Sequence, residues 1–327
     1  MSTMVLREFW FLLVTIISAT CAMHSCLARP LMMARTSRML VLVASPTPSL
    51  TYHGGPLMTV RHLRLHVLWY GTFSGVQQAA IRDFLASFQA TDNGNGGREA
   101  PTVRQWWAMV RKYKDANGNP PAGRISLGME FSDTAYSRGK NLSNADMADM
   151  VDALYMANRK TRSSSMYVVM TAEDVLVEDF CMNSCGTHEV TAGAKVPFVW
   201  VGNAGKQCPG LCAWPFAVEK YGPPGPPLTP PNGDPAADGM VINLALLLAG
   251  AATNPFASGY FQGDASVPLE AGSACQGQFG PGSYPGYAGQ LQTESSSGAS
   301  FNVVGLNDRY FLLPAIWNPS TKLCQTP

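Results

Sequence analysis

Apolar residues alternate with polar ones between positions 62 and 69. Leu63, Leu65, Val67 and Trp69 fall on one face, opposite His62, Arg64, His66 and Leu68. That period of two predicts a half-buried strand. The period then changes. Ser74-x-x-Gln77 reads as a capping box opening a helix whose apolar positions Val76, Ala80, Phe84 and Phe88 recur every four residues. Thr102-x-x-Gln105 opens a second helix, with Val103, Trp106, Trp107 and Val110 on one stripe. Ser143-x-x-Asp146 opens a third, with Met147, Met150, Val151 and Leu154 facing inward. Short Val- and aromatic-rich runs at 125–131, 166–171 and 196–201 read as further strands.

Residues 238–252 are apolar at nearly every position apart from Asn243, so the pattern predicts a helix capped by Asp238 and buried on all sides. Beyond Phe256 the chain is rich in Gly, Ser, Tyr and Pro, with little periodicity before residues 309–316. Strands alternating with helices define an α/β class. The expected architecture is a single domain over residues 51–327: a mixed sheet flanked by helices, then an irregular, disulfide-stapled C-terminal region.

The N-terminus reads as an export signal over residues 1–28. Arg7 precedes an apolar run at 9–19, too short to span a bilayer, and small residues place cleavage after Ala22 or Ala28. Residues 29–50 read as a flexible lead-in. The apolar stretch at 240–252 is likewise too short to span, so no membrane span is expected in the mature chain.

Charged residues make up only 14% of the chain and the net charge is +1, which gives no electrostatic basis for binding nucleic acid. Of eight cysteines, Cys21 and Cys26 lie in or beside the signal. Cys181, Cys185, Cys208, Cys212, Cys275 and Cys324 remain. In an exported chain they imply three disulfides, with the pairing open. The rival reading is zinc held by the two C-x3-C pairs, a chemistry found mostly inside cells.

Candidate chemistry is sparse. His62 and His66 are about 13 Å apart on a strand and cannot share a metal, so they read with Arg64 as a solvated polar face. His188-Glu189 begins a His-Glu-x-x-His zinc motif, but position 192 is alanine, and the neighbouring glycines suggest a loop. No G-x-S-x-G elbow is present. Glu173, Asp174, Glu178 and Asp179 follow a strand, where α/β proteins bind ligands; with Trp200 and Trp214 nearby they offer a route to glycoside hydrolysis. Asn141-Leu142-Ser143 is an N-glycosylation acceptor.

Longer motifs carry a resemblance. They are Leu68-Trp69-Tyr70-Gly71, Cys185-Gly186-Thr187-His188, Cys208-Pro209-Gly210-x-Cys212-Ala213-Trp214-Pro215-Phe216, Asp238-Gly239-Met240-Val241-Ile242-Asn243, Asn254-Pro255-Phe256 and Tyr284-Pro285-Gly286-Tyr287. In order, from Tyr52 to the C-terminus, they resemble the plant EXORDIUM, or phosphate-induced protein 1, family. The resemblance implies a secreted protein of the cell-wall space (the apoplast), linked to brassinosteroid-dependent growth and cell expansion, with no established catalytic activity. Glu189 departs from the glycine usual there.

A more distant likeness links the helix and Thr253-Asn254-Pro255 to zincin-like proteins. It places the metal-binding His at Leu246, the base at Leu247 and a further ligand at Gly250, none able to bind zinc or move a proton. The expectation is a non-enzymatic protein without cofactor or metal that binds a wall polysaccharide or a cell-surface protein. Its candidate binding residues are His53, Asp174, His188 and Trp214. A wall polysaccharide hydrolase using the loop carboxylates is the alternative.

Overall fold

A computed structural model of the protein describes residues 48–89, 100–158, 164–182, 184–221 and 225–327. The signal with Cys21 and Cys26, and most of the lead-in, lie outside the described residues. At the centre is a five-stranded sheet. Its strands are β1 (His62–Tyr70), β2 (Arg124–Asp133), β3 (Ser165–Thr171), β4 (Gly186–Val190) and β5 (Pro197–Gly202), in spatial order β2-β1-β3-β5-β4. β1, β2, β3 and β5 run parallel, and β4 pairs antiparallel with β5 at one edge. This is the mixed sheet flanked by helices that the alternating pattern implies.

Three helices start where the sequence places their caps. In α1 (Gly75–Ser87), the Gln77 backbone N–H donates to Ser74 Oγ at 3.2 Å while Ser74 N–H donates to Gln77 Oε1 at 3.0 Å. Thr102 and Gln105 close the same box on α2 (Val103–Val110), as do Ser143 and Asp146 on α3 (Asn144–Ala157). Each box satisfies two backbone donors that a helix start leaves open. One detail differs. Val76 points to solvent, 48% exposed, and the buried stripe of α1 runs through Ala80, Ile81, Phe84 and Leu85.

Helices cover both sheet faces. Leu65, Val67, Trp69, Met166, Val168, Met170, Val199 and Val201 share one core with α1 and α2. Leu68, Tyr70, Tyr167, Val169, Phe198 and Trp200 share another with Met147, Met150 and Val151 of α3. Sandwiched strands are buried on both faces, which is why β3 reads as a continuous apolar run.

The expected polar face at His62, Arg64 and His66 is only partly solvated. His66 is 1% exposed: its Nδ1 accepts from Met129 N–H at 2.9 Å, and its Nε2 lies 3.1 Å from Ser165 Oγ. That contact sits at a register break where β2 carries an extra residue opposite β1. Burial, with the nearby Arg64 charge, holds the imidazole below its usual pKa.

The long apolar helix, α4, runs from Pro235 to Thr253 and packs on the core that contains Val199 and Val201. It begins earlier than expected. Asp234, not Asp238, is the cap, and its carboxylate accepts from Ala236 N–H at 2.8 Å. Pro235 fills the first helical position, where its missing N–H costs nothing. At 19 residues it is long and apolar enough to cross a membrane, unlike the shorter stretch read from sequence; 83% of that window is buried within the protein.

The C-terminal region is built of short two-stranded ribbons. Phe311, Leu313, Ile316 and Trp317 enter the main core, so this part is integral to the domain. Three disulfides join Cys181 to Cys208, Cys185 to Cys212 and Cys275 to Cys324.

Candidate functional site

Cys208 and Cys212 bracket a single helical turn, Pro209–Cys212, and a spacing of four puts both sulfurs on one side of it. They reach Cys181 and Cys185, so two staples clamp the segment leading into β4. The clamp also positions Asn243 of α4, whose Nδ2 donates to Cys212 O at 2.8 Å.

β4 and α4 then form two walls of a cleft of about 950 Å³, a volume typical of ligand sites. Every residue from Gly186 to Val190 lines it. From α4 come Asn243, Leu246 and Leu247; the far rim is residues 254–257 and 265–268. α4 is therefore not sealed on all sides. Asn243, Leu246 and Leu247 are half-buried and border open space, while Leu244, Ala245, Leu248 and Ala249 behind them are fully buried. The three positions that the zincin likeness singles out, Leu246, Leu247 and Gly250, lie on or under this cleft.

Polar groups converge beside Gly250. His188 lies in a strand, contrary to the loop expected around it. Its Nε2 donates to Glu270 Oε2 at 2.6 Å, and the other carboxylate oxygen accepts from Asn254 Nδ2 at 2.6 Å. Asn254 is in turn fixed by Gly259 N–H, which donates to its Oδ1 at 2.7 Å. Asn254 is fully buried, and the side chains of His188 and Glu270 are 11% and 10% exposed. This network explains the glycine in α4: a Cβ at Gly250 would stand 2.7 Å from Glu270 Oε2 and 3.0 Å from His188 Nε2. Sequence reasoning missed Glu270, which sits in an irregular stretch with no local signal.

Of the other candidates, Trp214 lines a smaller groove of about 230 Å³ that shares Cys185, Leu211, Asn243 and Leu246 with the cleft. Its indole N–H donates to Glu219 Oε1 at 2.6 Å. His53 lies outside the cleft, its ring stacked on Phe261 with centroids 3.8 Å apart. Asp174 lies beyond the end of β3, exposed, ion-paired to Lys140 and accepting from Tyr136 OH at 3.0 Å. The Lys140 hydrogen bond is the main cause holding its carboxyl below the usual range. Glu173 pairs with Lys206 at 2.5 Å, and Glu178 and Asp179 face solvent. None of these four carboxylates lines the cleft. Asn141 is exposed.

Together these features define an α/β protein with a disulfide-clamped cleft between an edge strand and an apolar helix. The family model "Phosphate-induced protein 1 conserved region" matches residues 50–327. The chain is 44% identical over 285 residues to Protein EXORDIUM-like 1 of Arabidopsis thaliana, covering 85% of this chain and 90% of that protein. It is 41% identical to Protein PHOSPHATE-INDUCED 1 of Nicotiana tabacum (88% and 92% covered) and 42% identical to Protein EXORDIUM of Arabidopsis thaliana (85% and 88%). The chain belongs to the EXORDIUM/phosphate-induced protein 1 family. The names of these relatives carry no enzymatic activity. No solved structure matches it.

Proposed function

We propose that the protein is exported to the cell-wall space and acts there by binding, not by catalysis, in brassinosteroid-linked growth and cell expansion. Its partner is a wall polysaccharide or a cell-surface protein held in the cleft between β4 and α4. The observation that carries this reading is the α4 face toward the cleft. Asn243, Leu246 and Leu247 offer an amide and two apolar surfaces, which can pack against a ligand but cannot transfer a proton or attack a bond. The His188–Glu270–Asn254 network beside them supplies oriented polar groups, the usual complement to an apolar bed.

Three disulfides in one domain suit an oxidising compartment, and the apolar N-terminal run suits export. The link to growth rests on the family resemblance. The hydrolase reading draws less support, because two of its carboxylates are neutralised by Lys140 and Lys206 at the surface.

A fluorescent fusion should accumulate outside the plasma membrane. The purified oxidised protein should bind fractionated wall extract in a manner weakened by Leu247→Arg, and should release no sugar from it. Retention inside the cell, or sugar release abolished by Asp174→Asn, would overturn the proposal.

A further inference from the structure

The wall of the cleft opposite α4 is a sheet edge, and its backbone is specific about what it can bind. Thr191 N–H donates to Val196 O, and Gly202 N–H donates to Cys185 O. Both bonds join residues directly opposite in the β4–β5 register. In an antiparallel ladder the bonded pairs alternate, so 187 and 189 complete the ladder. The N–H and C=O groups of Gly186, His188 and Val190 therefore point away from β5. Pro197, which has no N–H, sits opposite Val190, one of the unbonded pairs. Among the described residues no strand pairs with the outer side of β4.

The opposite edge of the sheet is built differently. β2 carries Arg124, Glu130 and Asp133 and a register break, devices that discourage a further strand. β4 has an unbroken register over all five residues and one charge, Glu189. Its open edge lines the cleft along all five residues, which are half-buried there.

We infer that the cleft takes an extended polypeptide segment, which adds to β4 as a sixth strand. This deepens the binding reading above and rests on it. Outward backbone groups repeating about every 7 Å along β4 match the peptide backbone, whereas a sugar chain has no such repeat of paired donors and acceptors. Side chains of the bound segment alternate between two environments. Those on the α4 side meet Leu246 and Leu247; those on the other side meet Thr187 and Glu189. Glu270 is engaged by His188 and Asn254, so the acid presented to an occupant is Glu189, on the side of β4 away from α4; the lining also holds Lys195. The occupant is accordingly a segment alternating apolar and basic residues.

The test uses the full oxidised protein and a library of terminally blocked hexapeptides alternating Val, Leu or Ile with Lys or Arg. Saturable binding is expected, weakened about tenfold when alternate peptide nitrogens are methylated, the loss of one or two hydrogen bonds. Val190→Pro removes an outward N–H without touching the ladder and should give a similar loss with all three disulfides intact. Glu189→Lys should weaken binding of the basic peptides and spare a neutral series. If Val190→Pro does not fold, the methylated peptides on the natural chain decide alone. Absence of saturable binding, or binding indifferent to methylation, overturns the inference. A parallel panel of wall oligosaccharides separates the two readings: oligosaccharide binding without peptide binding sinks this inference and leaves the binding function standing, and no binding in either panel removes both.

Discussion

His188 and Glu270 share a 2.6 Å hydrogen bond although 82 residues separate them. The bond ties the edge strand of the sheet to the segment after α4, and Gly250 leaves the space in which it forms. Alanine normally stabilises a helix relative to glycine by about 1 kcal/mol. Here the added methyl must displace a carboxylate held by two hydrogen bonds, and overpacking costs about 1–3 kcal/mol. Gly250→Ala is expected to destabilise the protein by up to about 2 kcal/mol in urea unfolding, against the helix-propensity sign. It should also perturb the His188 ring signals in NMR. A stabilised variant with unchanged His188 signals would refute this account.

The staples flanking the cleft permit a second prediction. Cys181–Cys208 and Cys185–Cys212 each span 27 residues, and Cys275–Cys324 spans 49. By chain entropy, each short loop contributes about 3–4 kcal/mol and the longer one about 4 kcal/mol. The two short loops overlap almost completely, so most of their constraint is shared. Replacing Cys185 and Cys212 together by serine should cost clearly less than about 3 kcal/mol, while replacing both clamp pairs should cost more than twice the single-pair loss. Additive losses in thermal unfolding would show that the clamp acts through the folded state instead.

A third prediction concerns pH. Burial of Asp238 pushes its carboxyl from 3.8 up to about 7, against hydrogen bonds from the Asn232 side chain and backbone that pull it down. The folded chain keeps a proton there that the unfolded chain releases above about 4. The native state thus binds more protons across this window, so the contribution is full at acid pH and fades as pH rises to 7. His66 acts oppositely. Its pKa is lowered, so it favours the fold above 6.5 and loses that contribution as pH falls. The difference between the natural chain and Asp238→Asn isolates the first effect. Melting temperatures should favour the natural chain most at pH 4–5 and least above pH 7. A difference that does not vary with pH would remove the role assigned to Asp238.

What the sequence revealed was local. The Ser74, Thr102 and Ser143 capping boxes were legible because cap and third residue are neighbours in the chain. The start of α4 is legible too, but in Asp234-Pro235, a cap followed by proline; Asp238, an acid in the first turn, carries the same cap-like character four residues later. His66 was misread because strand alternation locates a face without saying what covers it. Glu270 carried no local signal, and Asn254 was visible only within longer motifs such as Asn254-Pro255-Phe256 and not as a partner of Glu270, since the site is made by the approach of distant segments. The cleft-facing stripe of α4 was invisible for another reason: leucines at 244, 246, 247 and 248 look alike in a pattern.

That likeness supplies the last prediction, because the four leucines differ in the structure. Leu244 and Leu248 are 0% and 2% exposed and belong to the main core. Leu246 and Leu247 are half-buried on the cleft. Truncating a packed leucine leaves a cavity and costs about 2–5 kcal/mol, while truncation at a wall open to solvent removes contacts without enclosing a void. Leu244→Ala and Leu248→Ala are therefore expected to lose about 3 kcal/mol or more, and Leu246→Ala and Leu247→Ala less than about 1.5 kcal/mol. Ligand binding should show the reverse order, with the largest loss at Leu247. Its Cδ1 also lies 2.8 Å from where a Cβ would stand on Gly186, which lets α4 pack close under the edge strand. Equal destabilisation at all four positions would mean that the helix is enclosed on every side in solution, and that the cleft, with every function drawn from it, does not exist there.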